Sequence, residues 1–371
     1  MCSSVDSFDC CFVTSLMTLR WEGRYKKGVA SNSRTIYGSC YGKTYREVKE
    51  KLEDCKRKMP QSLGCKKLFG TYCDEWLVVN QNNVKESTFV KYSTAIKNHI
   101  KPFFGGYQPE MITTELTAEF VNHLIEVKIL STKTVKDLTV LLKSILKYVA
   151  SSRKIDLIEI ATPKYTAKQI RVLSKEEQQR FIGYLSADLD SPKFGVLFAL
   201  MTGLRLGEVC ALRVKDISLK EKTVTVRGTI QGIKNLNNDG AKTKIVFTKP
   251  KSSTSARVVP LTNMAYELCK ERLRKYAMNA FLLTGSETKT IEPRVMQYHI
   301  KKYSAACGIE DMHFHVLRHT FATRCVEVGF EIKSLSEVLG HSTPRITLER
   351  YVHSSLEFKR QNMTKLEAIG L

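Results

Sequence analysis

Apolar residues recur at helical spacing through the first half of the chain. In residues 132–150, Val135, Leu138, Leu142, Ile145 and Val149 fall on one stripe and predict a long helix with one buried face. Residues 87–101 repeat the pattern with Phe89, Tyr92, Ile96 and Ile100, and Pro102 with the Gly105-Gly106 pair is expected to end that helix. Residues 69–79 and 117–127 read as two more helices, so 68–155 is predicted all-helical. Ahead of it, 18–26 and 34–42 carry aromatic and β-branched residues around a turn-like Ala-Ser-Asn-Ser, which predicts two strands. A helix over 45–59 follows, with Val48, Leu52 and Cys55 on one face, while residues 1–16 fit no element.

Beyond residue 155 the pattern changes. Residues 156–167, with Pro163, read as a linker. Ser174 followed by Glu177 is a capping box that opens a helix and a new domain. A sheet-like stretch lies within that domain: 223–229 alternates Val and Thr, and 244–248 and 256–261 flank Lys249–Ser255 as the arms of an expected hairpin with lysines at its tip. There is no internal repeat and no low-complexity stretch.

Charge narrows the partners. The 371 residues hold 59 Lys and Arg against 37 Asp and Glu, a net +22, with 43% hydrophobic residues. That is a folded basic protein, and a charge so self-repulsive points to nucleic acid more than to solubility alone. The segment 17–60 is itself basic, and Arg20, Arg24, Lys26 and Arg34 on its strands, with Lys91 and Lys97 on a helix and Lys249 further on, are candidate DNA contacts. A solvated helix face accounts for the helical lysines equally well. The eleven cysteines are odd in number and scattered without a CxxC pair, which argues for reduced thiols in a cytoplasm and against a disulfide framework or zinc site. No uncharged run approaches the length of a membrane span, and neither a cofactor nor a metal is expected.

The chemistry is expected in ordered pieces. Arg205 lies in TGLRLGE, where Glu208 is three residues on and able to fix its guanidinium on a shared helix face. A guanidinium so held suits two phosphate oxygens, although an arginine on a helix is more often a plain surface ion pair. Lys251, or Lys249 beside it, could reach a phosphate as a general acid. In HVLRHTFAT, His315 and Arg318 are three apart and project together, with His319 next to them. His341 follows a helix end at Gly340, and Tyr351 lies ten residues later. Each piece has a bland structural alternative, but a nucleophilic hydroxyl after so many cations reads as phosphoryl transfer on a nucleic acid.

The ordered set TGLRLGE, HVLRHTFAT and LGHSTPRITLERY resembles the signature blocks of the tyrosine recombinase (phage integrase) family, and the N-terminal pattern resembles integrases of conjugative transposons and related phages. The resemblance implies an α+β multidomain protein. A mainly helical catalytic domain with a small sheet would cover 168–355, a helical core-binding domain 68–155, and a small sheet-plus-helix arm-type DNA-binding domain 17–60. It implies that Arg205 and Arg318 hold the non-bridging oxygens of a scissile phosphate, that His315 assists proton transfer and that His341 stabilises the transition state. Tyr351 would attack to form a 3′-phosphotyrosine, and Lys251 would protonate the leaving 5′ oxygen, with Lys249 as the alternative. It further implies a homotetramer on double-stranded DNA at core and arm sites, an excision factor as a possible partner, no ATP, no membrane, and a bacterial cytoplasm. Residues 356–371 would form a tail docking on a neighbouring protomer. Type IB topoisomerase chemistry and a catalytically inert DNA-binding regulator are the rival readings, while an RNA-binding module would want an aromatic platform that the chain lacks.

Overall fold

The computed structural model describes residues 12–16, 20–29, 35–58, 67–153, 155–164, 170–236, 241–248, 256–352, 360 and 363–364. The chain divides into two compact units, Met1–Val84 with Tyr92–Tyr165, and Lys85–Lys91 with Thr166–Leu371.

The first unit opens with three strands, β1 (Phe12–Leu16), β2 (Arg20–Val29) and β3 (Thr35–Gly42), in an antiparallel sheet ordered β1-β2-β3. The sequence predicted only two of these, and residues 12–16 are the missing strand: they pair from Phe12 opposite Arg24 to Leu16 opposite Arg20. Helix α1 (Tyr45–Lys58) lies on the sheet through Val48 and Leu52, both buried as their spacing predicts. It can approach so closely because Gly23 has no side chain, since a Cβ there would come within 2.6 Å of Leu52.

The rest of this unit is helical: α2 (Phe69–Gln81), the end of α3 (Glu86–Ala95), whose residues up to Lys91 are counted with the second unit, α4 (Lys101–Phe104), α5 (Thr114–Glu126) and α6 (Thr132–Arg153). The predicted stripe of α6 is buried from Val135 to Val149, and it closes over Phe69, Ile96, Ile100, Phe104 and Phe120. Pro102 does not end its helix. The turn before it, Ile96–Ile100, widens to a π-helix, with the Lys101 amide donating to the Ile96 carbonyl, and the chain continues to Phe104. Such a widening relieves the clash that a proline ring makes with the preceding turn.

The second unit is built round one helix. α7 (Lys175–Ala187) opens with the predicted capping box, Ser174 accepting from the Glu177 amide. α8 (Ser191–Thr202) is buried from Lys193 to Leu200, the signature of a helix surrounded by others. α9 (Leu206–Ala211) follows, then the strands β4 (Ile217–Ser218), β5 (Thr223–Val226), β6 (Thr229–Lys234), β7 (Thr243–Thr248) and β8 (Arg257–Pro260). Five helices complete the unit: α10 (Asn263–Lys275), α11 (Pro293–Ala306), α12 (Phe314–Glu327), α13 (Ile332–Leu339) and α14 (Pro344–Tyr351). Helices α7, α9, α10, α11 and α12 all pack on α8.

The strands correct two expectations. The stretch 223–229 is broken at Arg227-Gly228 into β5 and β6, which belong to different sheets. The strands flanking Lys249–Ser255 do not pair with each other: β7 pairs with β6, and β8 pairs with β5. The two flanking strands are therefore not the arms of one hairpin. The lysine segment joins two sheets, entering from Thr248 opposite Thr229 and leaving to Arg257 opposite Val226.

Candidate active site

Two left-handed glycines aim the cations. α8 ends at Gly203 (φ 67°), which turns the chain so that Arg205 becomes the residue capping α9. Arg205 is extended, not helical, and Glu208 reaches back to its amide at 2.8 Å and to its Nη1 at 2.9 Å. The predicted pair is present, built as a helix cap instead of two positions on one face. α13 ends the same way at Gly340 (φ 64°), which delivers His341.

Arg205 and Arg318 converge on these helix ends. Arg318 is buried and donates to the Gly203 carbonyl at 2.9 Å and the Leu339 carbonyl at 2.6 Å. Arg205 donates to the next carbonyl, Gly340, at 2.9 Å. The carbonyl ends of helices carry partial negative charge, so they are suited to hold two guanidinium groups side by side. Burial and the neighbouring Arg205 push the Arg318 guanidinium down to about 9, which leaves it charged at neutral pH.

Sequence reasoning missed a third arginine. Arg257 makes a two-pronged ion pair with Glu208, at 3.0 and 2.9 Å, and donates from Nε to the Val338 carbonyl at 2.6 Å. Burial by itself raises the Glu208 carboxyl, but the Arg257 hydrogen bonds and the charge of Arg205 hold it down at about 2. Glu208 and Arg257 together thus tie strand β8, helix α9 and the end of α13 to one another. The signal lay in strand parity, since Arg257 occupies the inward-facing phase of β8 with Val259. Gly340 must be glycine for the same network: a Cβ would lie 2.9 Å from Arg257 Nη1 in a conformation that costs an L-residue about 1–2 kcal/mol. Gly340→Ala is expected to destabilise the protein by roughly 2 kcal/mol, read from the midpoint of denaturant unfolding. An unchanged midpoint would mean that the Arg257 contact gives way freely.

Tyr351, the last residue of α14, is 5% exposed. Its hydroxyl lies 2.9 Å from His319 Nδ1, and the His341 ring runs parallel to the phenol, with centroids 6.3 Å apart. His341 Nδ1 is 2.8 Å from the buried Thr347 hydroxyl, a contact that fixes its ring. Burial, with Arg318 and Arg205 adding to it, pushes His341 down to about 3, so the ring is neutral at physiological pH. Burial also raises the Tyr351 phenol, against the pull of Arg318 and Arg350. His315 is exposed one turn before His319, its ring 6.0 Å away. The structure therefore brings Arg205, Arg318, His315, His341 and Tyr351 into one neighbourhood and adds His319, Glu208 and Arg257.

The remaining predicted residues fall elsewhere. Lys249, Lys251 and Arg34 lie outside the described residues, as do the side chains of Arg20 and Lys26. Arg24 is exposed on β2 and pairs with Glu22 at 3.3 Å, and Lys91 and Lys97 are exposed. Among the described residues no group of histidines, cysteines and carboxylates could hold a metal, and no helix is long and apolar enough to cross a membrane.

A helical domain that gathers arginines, imidazoles and a buried phenol defines a class of covalent phosphoryl-transfer proteins, and the comparisons with known proteins agree. Residues 171–357 match the phage integrase family, and residues 68–125 match the phage integrase N-terminal SAM-like domain. A XerC-like tyrosine recombinase of Caldanaerobacter subterraneus is 28% identical over 355 residues, covering 88% of this chain and 90% of the relative. The integrase of Staphylococcus phage L54a is 25% identical over 357 residues, covering 87% of this chain and 98% of its own. Among solved structures, the Tn1549 transposon integrase in complex with circular intermediate DNA shares the fold at a TM-score of 0.66 and 18% identity, covering 81% of this chain and 99% of that one. The chain belongs to the phage integrase family. It is a tyrosine recombinase, an enzyme that cleaves and rejoins DNA strands.

Proposed function

We propose that this recombinase integrates and excises a mobile element, using Tyr351 as the nucleophile and Arg205 with Arg318 as the phosphate clamp. The observation that carries the reading is the meeting of the two guanidinium groups on the consecutive carbonyls Leu339 and Gly340, in the unit that buries the Tyr351 hydroxyl. An incoming phosphodiester would replace those carbonyls with its non-bridging oxygens, which are stronger acceptors for the same donors. Attack by the phenol exchanges one phosphate ester for another, so strand cleavage needs no ATP. Negative charge gathers on the equatorial oxygens as the bond forms, where fixed cations stabilise it most. His315 stands beside this charge to assist proton transfer, and His341 as a hydrogen-bond donor that stabilises the transition state. Lys251, or Lys249 in its place, protonates the leaving 5′ oxygen.

In this reading residues 68–155 bind the core site and 17–60 an arm site, the sheet β1-β2-β3 with Arg24 supporting the second assignment. The phage and transposon integrases among the similar proteins favour a mobile element over chromosome maintenance. A tetramer on DNA, with 356–371 linking protomers and an excision factor setting direction, completes the proposal, and the setting is a bacterial cytoplasm.

The test is a nicked suicide duplex carrying the crossover site, incubated with purified protein and run on a denaturing gel. A covalent adduct is expected, joined through a 3′ phosphate, with the nucleotide mapped by mass spectrometry to Tyr351. Tight binding without an adduct on a verified site would leave only a DNA-binding regulator. Relaxation of supercoils without exchange between two sites would instead favour a topoisomerase.

A further inference from the structure

The hydroxyl of Tyr351 has a partner that the phosphate clamp does not use. His319 follows Arg318 on α12, so Arg318 faces the carbonyls of Gly203 and Leu339 while His319, about 100° further round the helix, faces α14. Its Nδ1 lies 2.9 Å from the Tyr351 oxygen, with the rings 5.7 Å apart and inclined at 49°. A buried phenol needs an acceptor for its proton, and this nitrogen lies in hydrogen-bond range. We propose that His319 is a catalytic residue that accepts the Tyr351 proton as the phenol attacks, an inference that rests on Tyr351 being the nucleophile.

The surroundings suit that role. Burial lowers the ring to about 4, and the charges of His315 and Arg318 on its own helix, of Arg350 on α14 and of His313 just before α12 add to that. A neutral imidazole keeps a lone pair for the Tyr351 hydrogen. When a phosphodiester enters, its negative charge offsets those cations and makes the ring more basic at the moment of attack. In the step, the Tyr351 O–H proton moves to His319 Nδ1, the phenol oxygen bonds to phosphorus, and the bond from phosphorus to the 5′ oxygen breaks. The leaving oxygen takes its proton from the acid on the far side. Religation reverses both transfers, and the imidazolium returns its proton to the departing phenol. His315, exposed one turn away, remains beside the phosphate.

Two variants test the step on the same suicide duplex, in single-turnover cleavage. His319→Asn keeps a polar atom near the Nδ1 position but cannot take up a proton, and His319→Phe keeps only the ring. Cleavage is expected to fall about 10²–10³-fold in His319→Phe and at least about tenfold in His319→Asn, the range for loss of a general base. The Asn rate should climb with pH where wild type is level, because solvent must now deprotonate the phenol. DNA binding should stay within about threefold in both. A second duplex with sulfur in place of the bridging 5′ oxygen separates the two ends of the reaction, since a thiolate leaves without a proton. The His319 defects should persist on it, while a Lys251→Ala defect should shrink. Cleavage by His319→Asn within about threefold of wild type across the pH range, or His319 defects that vanish on the sulfur duplex, would overturn the inference alone. No adduct from wild type on either duplex would overturn the Tyr351 reading and this step with it.

Discussion

Tyr351→Phe is expected to give a folded protein that binds its site as tightly as wild type and forms no adduct. The substitution removes one oxygen and leaves a ring of the same shape in a buried position beside His341. What is lost structurally is the hydroxyl's hydrogen bonding to His319 and Arg318, about 1 kcal/mol for each bond. The phenol is uncharged in the resting site, because burial holds it above its ordinary value, so its removal changes no charge near the DNA. Arg205 keeps every contact it has, and Arg318 keeps its hydrogen bonds to the Gly203 and Leu339 carbonyls while losing its own bond to the hydroxyl. Chemically the loss is complete, and rate reductions on the order of 10⁶-fold accompany removal of a covalent nucleophile. Adduct yield on the suicide duplex, with gel-shift affinity beside it, checks both halves. Residual adduct would mean that another hydroxyl attacks. Weakened binding would mean that the ring is displaced from its pocket.

The line of the site could be read in the sequence because each member lies in a short local motif at a helix end. Arg205 follows the Gly203 cap, His341 follows the Gly340 cap, and His315 and Arg318 share one turn of α12. The apolar stripes likewise placed the core, as the burial of Val135, Leu142 and Ile145 bears out. What escaped depends on partners far along the chain. Strand β1 is five residues without a charge or turn signal of its own, and only its pairing with β2 defines it. Arg257 looks like one more surface cation until Glu208, 49 residues earlier, is found under it. His319 looked like the bystander of its motif because its target is 32 residues on, across a helix packing that periodicity does not specify. The break at Arg227-Gly228 has a similar origin. A side chain at Gly228 would strike the Phe247 ring, so the glycine lets β7 cross a stretch whose alternation reads as one strand.

Glu208→Gln should be the most destabilising single-charge change in the second unit, costing about 3–5 kcal/mol, because it leaves buried arginines without their counter-ion. The carboxylate now accepts from both Nη atoms of Arg257, from Arg205 Nη1 and from the Arg205 amide, and it is buried. A glutamine can keep the contact with one face, but it presents an NH₂ to a donor on the other. Arg257 and Arg318, both buried, would then have only carbonyl dipoles, and no carboxylate, to offset their repulsion. The pH dependence identifies the cause. The wild-type carboxyl ordinarily titrates at 4.5 and is held at about 2 in the folded protein, so it contributes stability that is whole above 4.5 and is lost as pH falls towards 2. The variant lacks that component, so the two stability curves should be furthest apart above about pH 4.5 and converge as pH falls towards 2. Cleavage should fall as well, because the clamp arginine Arg205 loses the group that caps its helix and orients its fork. Parallel unfolding curves at every pH would show that packing, not charge, sets the cost. In that case the arginines of the clamp would be held by the helix carbonyls alone.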